Sequence, residues 1–358
     1  MNILLDDLSF KNSLFPFGVI RSAAHIRMGI LTILEKWQFY FPGKVFVASE
    51  NLSLPVSEPG WIHYPVNFIP SHEFLKNISY YKEKLPFTPD CKILEHPWHI
   101  FEYNDWALRQ DFKMITDGRV SQTIPSSCHA VSVENIFIEP GARIDFSILN
   151  AEAGPIYIAE NAEIQEGCLL RGPIAAGKGS RLKMGTKIYG ATTVGPNCLA
   201  GGEIKNSILM AFSNKAHDGY LGDSVIGEWC NLGAGSSNSN LKNNASTVKM
   251  WSKQDGSLIE AGTKCGLLMG DYSRCAINTS FNTGSIVGVC CSIFGNPFPP
   301  KFIDNFTWGK EKYIFEKAIE DINNWKKLKN CEITEEEVQS LKNIYQQIEN
   351  HEKTNSGC

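Results

Sequence analysis

Eight histidines are spread over the 358 residues, yet only His217 falls between residues 130 and 310. It stands in the run SNKAHDGYLGD, residues 213–223. A neutral imidazole accepts a proton near pH 7, so a lone histidine suits general-base work on an amine or hydroxyl. Catalytic zinc of the carbonic anhydrase kind takes three histidines, and this stretch supplies one. The eleven cysteines show no C-x-x-C pair and no zinc-ligand spacing. They read as small core fillers, reduced in a cytoplasmic protein. No G-x-G-x-x-G or Walker A run marks a phosphate cradle. The residue types thus allow base catalysis without a metal, and a loop histidine with no chemical role is the competing reading.

That imidazole must be held by something, and the flanking periodicity says what. Stepping by six from Ile158 gives Ile164, Leu170, Ala176, Leu182, Ile188, Val194 and Ala200, all aliphatic. Four residues after the first seven stand Ala162, Cys168, Ile174, Ser180, Thr186, Thr192 and Cys198, mostly small. Three hexapeptides make one triangular coil, with the aliphatic side chain inside and the small one at a corner. The pattern extends upstream through Ile138 and Ile144. Downstream it resumes at Ile226 and Leu232, then runs from Met269 to Ile293. The fold expected is mainly β, a left-handed parallel β-helix. Slips of register at 205–220 and 237–264 predict two excursions from the prism, and such excursions commonly carry function.

The ends differ in character. Residues 1–116 read as a small Rossmann-like α/β domain, with strands at Ile3–Leu5 and Val45–Ala48 and a helix through Ile26, Ile30, Ile33 and Trp37. A polar linker spans 117–130, the β-helix 131–309, and a helical segment 310–358, where Thr334 and Glu337 form a capping box. The net charge of −4 gives no basic field for nucleic acid. No apolar run is long enough for a membrane span, and the start MNILLDDLSF lacks a basic signal-peptide region.

The run from Lys215 to Asn240 resembles the acetyltransferase half of the bifunctional N-acetylglucosamine-1-phosphate uridyltransferase/glucosamine-1-phosphate N-acetyltransferase (GlmU-like) family. It keeps His217, Tyr220, Leu221, Gly222, Asp223, Asn231, Gly233, Ala234, Gly235 and Asn240 at the family spacing. It is more closely similar to the Bacteroidetes-type variant, through GILTIxEKW at 29–37, PWxIF at 97–101 and GNPFPPKFI at 295–303. The resemblance implies that His217 deprotonates the 2-amino group of glucosamine 1-phosphate for attack on acetyl-CoA, the co-substrate. Lys205 and Lys187 would hold the sugar phosphate. Lys187 replaces a family arginine, keeping charge but losing the bidentate fork. Tyr220, Asn231 and Asn240 would bond the sugar. The backbone at Ala234 would meet the thioester and Lys249 a CoA phosphate. Trimers with inter-subunit sites are implied, hence a homotrimer, with cell-wall (peptidoglycan) precursor synthesis as the pathway.

The same resemblance gives the amino-terminal domain uridylyl transfer from UTP with Mg²⁺. Arg21, Arg27 and Lys36 resemble the R-P-x-A-x-x-R…K motif, with Ser22 in place of proline. The domain is short, a block between Lys84 and His96 is missing, and no metal-binding aspartate stands out. A packing cap is the competing reading. Two rivals cover the whole chain: a sugar-phosphate nucleotidyltransferase with a structural β-helix, and a non-catalytic trimeric scaffold.

Overall fold

The computed structural model describes residues 1–8, 10, 13–52, 60–81, 90–295 and 298–355. The fold is mainly β, a parallel β-solenoid of about ten turns with a small amino-terminal α/β domain and carboxy-terminal helices. Among the described residues its walls are sheets of nine, ten and six strands. The nine-stranded wall runs from Ile136–Ile138 to Phe302–Ile303, and the six-stranded wall from His129–Val131 to Tyr220–Gly222. Every aliphatic residue of the six-step series lies in one continuous buried cluster. The i+4 residues are buried too, Thr186 and Cys198 completely. Parallel strands require long crossovers; here each coil is its own crossover, so adjacent coils stay in register. Leu182, for example, pairs with Ile164 on one side and Ala200 on the other.

Deleting core volume here has a measurable consequence. Leu182 has no exposed surface. Leu182→Ala is expected to lower unfolding free energy by about 2–5 kcal/mol in urea titration, from lost burial plus a cavity. A loss under about 1 kcal/mol would mean that the column is not close-packed.

The expected excursion at 205–220 is corrected by the structure. The chain stays in the prism through strands Glu203–Lys205, Ile208–Leu209, Asn214–Lys215 and Tyr220–Gly222. The slip arises from shortened corners. Inward residues Leu182 and Ile188 are six apart, whereas Ala200 and Ile204, their register partners on the next coil, are four apart. The second expected excursion does leave the prism. It carries an antiparallel hairpin, Lys249–Ser252 with Ser257–Glu260.

In the amino-terminal domain three parallel strands, Val45–Val47, Asn2–Asp6 and Trp61–Pro65, lie in that spatial order. The expected helix through Ile26 and Ile30 begins only at Ile33 and ends at Tyr40. Thr32 and Glu35 form its capping box, while Gly29 takes φ +81°. Ile26 and Ile30 are buried from a loop instead. The domain covers the outer side of the nine-stranded wall, which is why strands such as Ile156–Ile158 and Thr192–Val194 are buried on both faces. Asn104 donates to Ala191 O at 2.8 Å, and Thr193 donates to Gly29 O at 2.9 Å. At the other end, helices Phe315–Lys327 and Glu335–Asn355 pack on Trp229, Tyr272 and Phe306. The Thr334–Glu337 capping box is present in both directions. The 295–303 run includes Asn296 and Pro297, and the 84–96 block includes residues 84–89; both sets lie outside the described residues.

Candidate functional site

His217 lies at the corner joining Asn214–Lys215 on the ten-stranded wall to Tyr220–Gly222 on the six-stranded wall. The residue is exposed, and among the described residues its imidazole makes no hydrogen bond or ion pair within the protein. The corner above contains Ala234, and the two are tied by Gly235 N donating to Asp218 O at 3.1 Å. The His217 and Ala234 backbones therefore stand on adjacent coils, about one strand spacing (roughly 4.8 Å) apart along the solenoid axis.

On one side of this corner the six-stranded wall carries three of the expected substrate residues, Lys187, Lys205 and Tyr220. Tyr220 pairs with Glu203, Glu203 with Lys187, and Lys205 with Tyr189 across successive coils. Lys187 is exposed and Lys205 half-buried. The Lys205 ammonium stands 5.9 Å from the Tyr189 ring centroid. Asn240 Nδ2 donates to Tyr220 Oη at 3.2 Å and also reaches the Asp223 carboxylate. Asn206 Nδ2 donates to the other Asp223 oxygen at 2.6 Å. Burial, then the Asp223 charge, pushes the Tyr220 phenol up to about 12. The Tyr189 phenol is likewise raised to about 12, chiefly because it donates to Glu203 at 2.6 Å. Both phenols thus stay protonated near neutral pH and offer hydrogen bonds rather than base strength.

Asn231 faces out from the ten-stranded wall, on the other side of the corner, where its side chain accepts from Asn214 at 3.4 Å. Lys249 is exposed on the hairpin, opposite Glu260. Lys187, Lys205 and Tyr220 thus share the six-stranded wall, with Asn240 bonded to Tyr220, whereas Asn231 lies on the ten-stranded wall across the corner.

The amino-terminal cations have carboxylate partners. Arg21 reaches Glu228 and, at 3.1 Å, Asp271 of the solenoid. Arg27 pairs with Glu35 at 3.2 Å. Lys36 is sealed against Asp111, with both side chains 2% exposed. Burial moves both of that pair toward their neutral forms, and their mutual attraction opposes it. Among the described residues no three His, Cys, Asp or Glu side chains converge to hold a metal. Asp7 accepts from Ser49 N and Oγ at 3.0 and 2.6 Å, and Asp111 is occupied by Lys36. These carboxylates do not fit a Mg²⁺ site.

Residues 2–54 and 63–120 match the family model described as sugar nucleotidyl transferase. The chain is 34% identical over 117 residues to the bifunctional protein GlmU of Methanocaldococcus jannaschii, covering 32% of this chain and 28% of that protein. It is 31% identical over 206 residues to a bifunctional sugar-1-phosphate nucleotidylyltransferase/acetyltransferase of Sulfurisphaera tokodaii, covering 55% and 43%. Its curated relatives are GlmU-type bifunctional proteins. The bifunctional protein GlmU of Rippkaea orientalis is 31% identical over 104 residues, covering 28% of this chain and 20% of that protein. The chain thus spans less than half the length of the GlmU-type relatives it matches.

Sequence reasoning passed over two residues of this site. Asp223 was visible only as a member of the resembling run; its role as acceptor for Asn206 and Asn240 depends on two chain crossings. Lys215 is the other. It is 1% exposed, and burial lowers its ammonium to about 8 despite Asp218 and the Cys275 thiol, which act to raise it. Between pH 8 and 10.5 the unfolded chain holds a proton at this position that the folded chain has released. Stability attributable to Lys215 therefore rises with pH across that window. The wild type is expected to gain up to about 3 kcal/mol relative to Lys215→Met between pH 7.5 and 10.5, read by urea titration. A difference that does not change with pH would refute the burial of a charge there.

Proposed function

We propose that the chain is an acetyl-CoA-dependent N-acetyltransferase acting on glucosamine 1-phosphate, a cytoplasmic step toward UDP-N-acetylglucosamine and peptidoglycan precursors. The observation that carries the reading is the exposed His217 imidazole, without a partner among the described residues, at a corner between the wall that carries Lys187 and Lys205 and the Ala234 corner. In this reading His217 removes a proton from the 2-amino group. The nitrogen lone pair attacks the thioester carbonyl, the C–S bond breaks, and the coenzyme leaves as a thiolate that takes up a proton. Lys187 and Lys205 hold the phosphate, Tyr220, Asn231 and Asn240 bond the sugar, the Ala234 backbone faces the thioester, and Lys249 meets a CoA phosphate. No covalent intermediate is required; orientation supplies much of the rate.

A convex corner on one chain gives a substrate only part of a pocket. The six-stranded wall also leaves Ile148 and Leu169 about half exposed, in register with each other, and Phe146 69% exposed beside them. Exposed apolar side chains on one wall suit a second copy of the chain. We therefore propose a homotrimer whose neighbour completes the site and brings another Asn231 edge toward it.

Uridylyl transfer is the second reading, favoured by the sugar nucleotidyl transferase match over 2–54 and 63–120. Against it, Arg21, Arg27 and Lys36 are already spent on carboxylates, so the domain is better read as a packing cap. A thiol-release assay with acetyl-CoA and glucosamine 1-phosphate, run beside a pyrophosphate-release assay with UTP, Mg²⁺ and N-acetylglucosamine 1-phosphate, separates the readings. Acceptor-dependent thiol release is expected. Pyrophosphate alone would favour the nucleotidyltransferase, and neither product would favour a scaffold.

A further inference from the structure

We infer that Lys215 is a positioning residue for His217, holding from inside the solenoid the backbone of the corner that presents the imidazole. The inference rests on the acyl-transfer reading above. Lys215 occupies the inward column at register with Ala200 and Leu182, where every residue of the hexapeptide series is apolar. An ammonium there costs desolvation and persists only where it has partners. Its Nζ donates to Gly201 O at 3.2 Å and to His217 O. Both carbonyls sit at corners, outside the strand ladder.

The shortened corner explains why a donor is needed at that level. Between Ala200 and Ile204 the chain has only Gly201, Gly202 and Glu203, whereas the corner above, from Lys215 to Leu221, keeps its full length. The full corner is pressed onto the short one. A Cβ on Gly201 would stand 2.4 Å from Ala216 O, and one on Gly202, at φ +73°, 2.9 Å from His217 O. Backbone this close leaves no room for a side chain from the corner itself, so the donor comes from the core. With Asn214–Lys215 held in the wall on one side, anchoring the His217 carbonyl restrains rotation about its Cα–C bond and with it the direction of Cα–Cβ. The imidazole is then aimed without any contact to its ring, which leaves both nitrogens to the substrate.

Lys215→Met tests this, because methionine keeps the volume and suits the apolar column. Hydrogen exchange and transfer kinetics are measured on the same full-length variant, with thermal unfolding to confirm that it folds. Amides at 216–220 are expected to exchange at least about tenfold faster while the strands of other coils keep their protection. The kcat is expected to fall roughly 10–100-fold with little change in KM for acetyl-CoA, the signature of a misplaced group. Unchanged exchange at the corner overturns the inference, whatever the rate. Faster exchange with wild-type kcat overturns it too. A wild type that transfers no acetyl group defeats the acyl-transfer reading, and exchange then decides separately whether Lys215 holds the corner.

Discussion

His217→Ala is expected to lower kcat for acetyl transfer by roughly 10²–10⁴ and to leave KM for acetyl-CoA near its wild-type value. In the proposed reaction the imidazole is the group that takes the proton. Tyr189 and Tyr220 are raised to about 12 and remain phenols. Lys215 is buried, and its ammonium faces the backbone carbonyls of Gly201 and His217 rather than solvent. Because the His217 ring makes no side-chain bond among the described residues, its removal breaks no network. Thermal unfolding should stay within about 0.5 kcal/mol of wild type, as for other exposed substitutions. Steady-state kinetics at saturating acceptor is the measurement, and a variant within about threefold of wild-type kcat would remove the base assignment.

The largest expected effect on stability belongs to the amino-terminal domain. Asp111→Ala should destabilise the protein by about 3–5 kcal/mol, the range for stripping one partner from a buried ion pair. Lys36, 2% exposed, would lose its ion-pair partner. The same substitution orphans two backbone donors, because Ile30 N and Leu31 N both bond Asp111 Oδ2, at 2.8 and 3.0 Å. Those bonds shape the loop that carries Gly29, whose carbonyl accepts from Thr193 of the solenoid. Loss of Asp111 should therefore loosen the domain from the nine-stranded wall as well as unfold it earlier. Lys36→Met with Asp111→Leu, replacing both charges together, should recover most of the loss. Chemical denaturation of the single and double variants decides. A single variant within about 1 kcal/mol of wild type would mean that the pair is not the hinge of the domain.

These two sites were unequally legible in the sequence. The hexapeptide column could be read because a prism admits only small or aliphatic side chains at fixed intervals, so Ile158 through Ala200 repeat without exception. Past Ala200 the phase breaks, and the break looks like an excursion. It is a corner two residues short, closed by Gly201 and Gly202, and only strand pairing across coils reveals that the prism continues. Lys215 has the type of a surface residue, and nothing local shows that its register partner is Ala200 in the core. Arg21, Arg27 and Lys36 have the types and spacing of a phosphate-binding set. Their carboxylates, Asp111, Glu228 and Asp271, lie far along the chain, apart from Glu35, so spacing alone could not show them occupied. Helix entry failed for a similar reason: Ile26 and Ile30 keep helical spacing, but Asn104 and Asp111 bind the backbone at Gly29 and Ile30 and hold it out of a helix.

Mass spectrometry of the acceptor gives the most direct test that His217 drives acyl transfer at this corner. Wild-type protein incubated with acetyl-CoA and glucosamine 1-phosphate should yield the N-acetylated sugar phosphate, and the His217→Ala protein at equal concentration should yield at most about one hundredth as much in the linear range. An acceptor of unchanged mass with the wild type, or equal product from both proteins, would contradict the account.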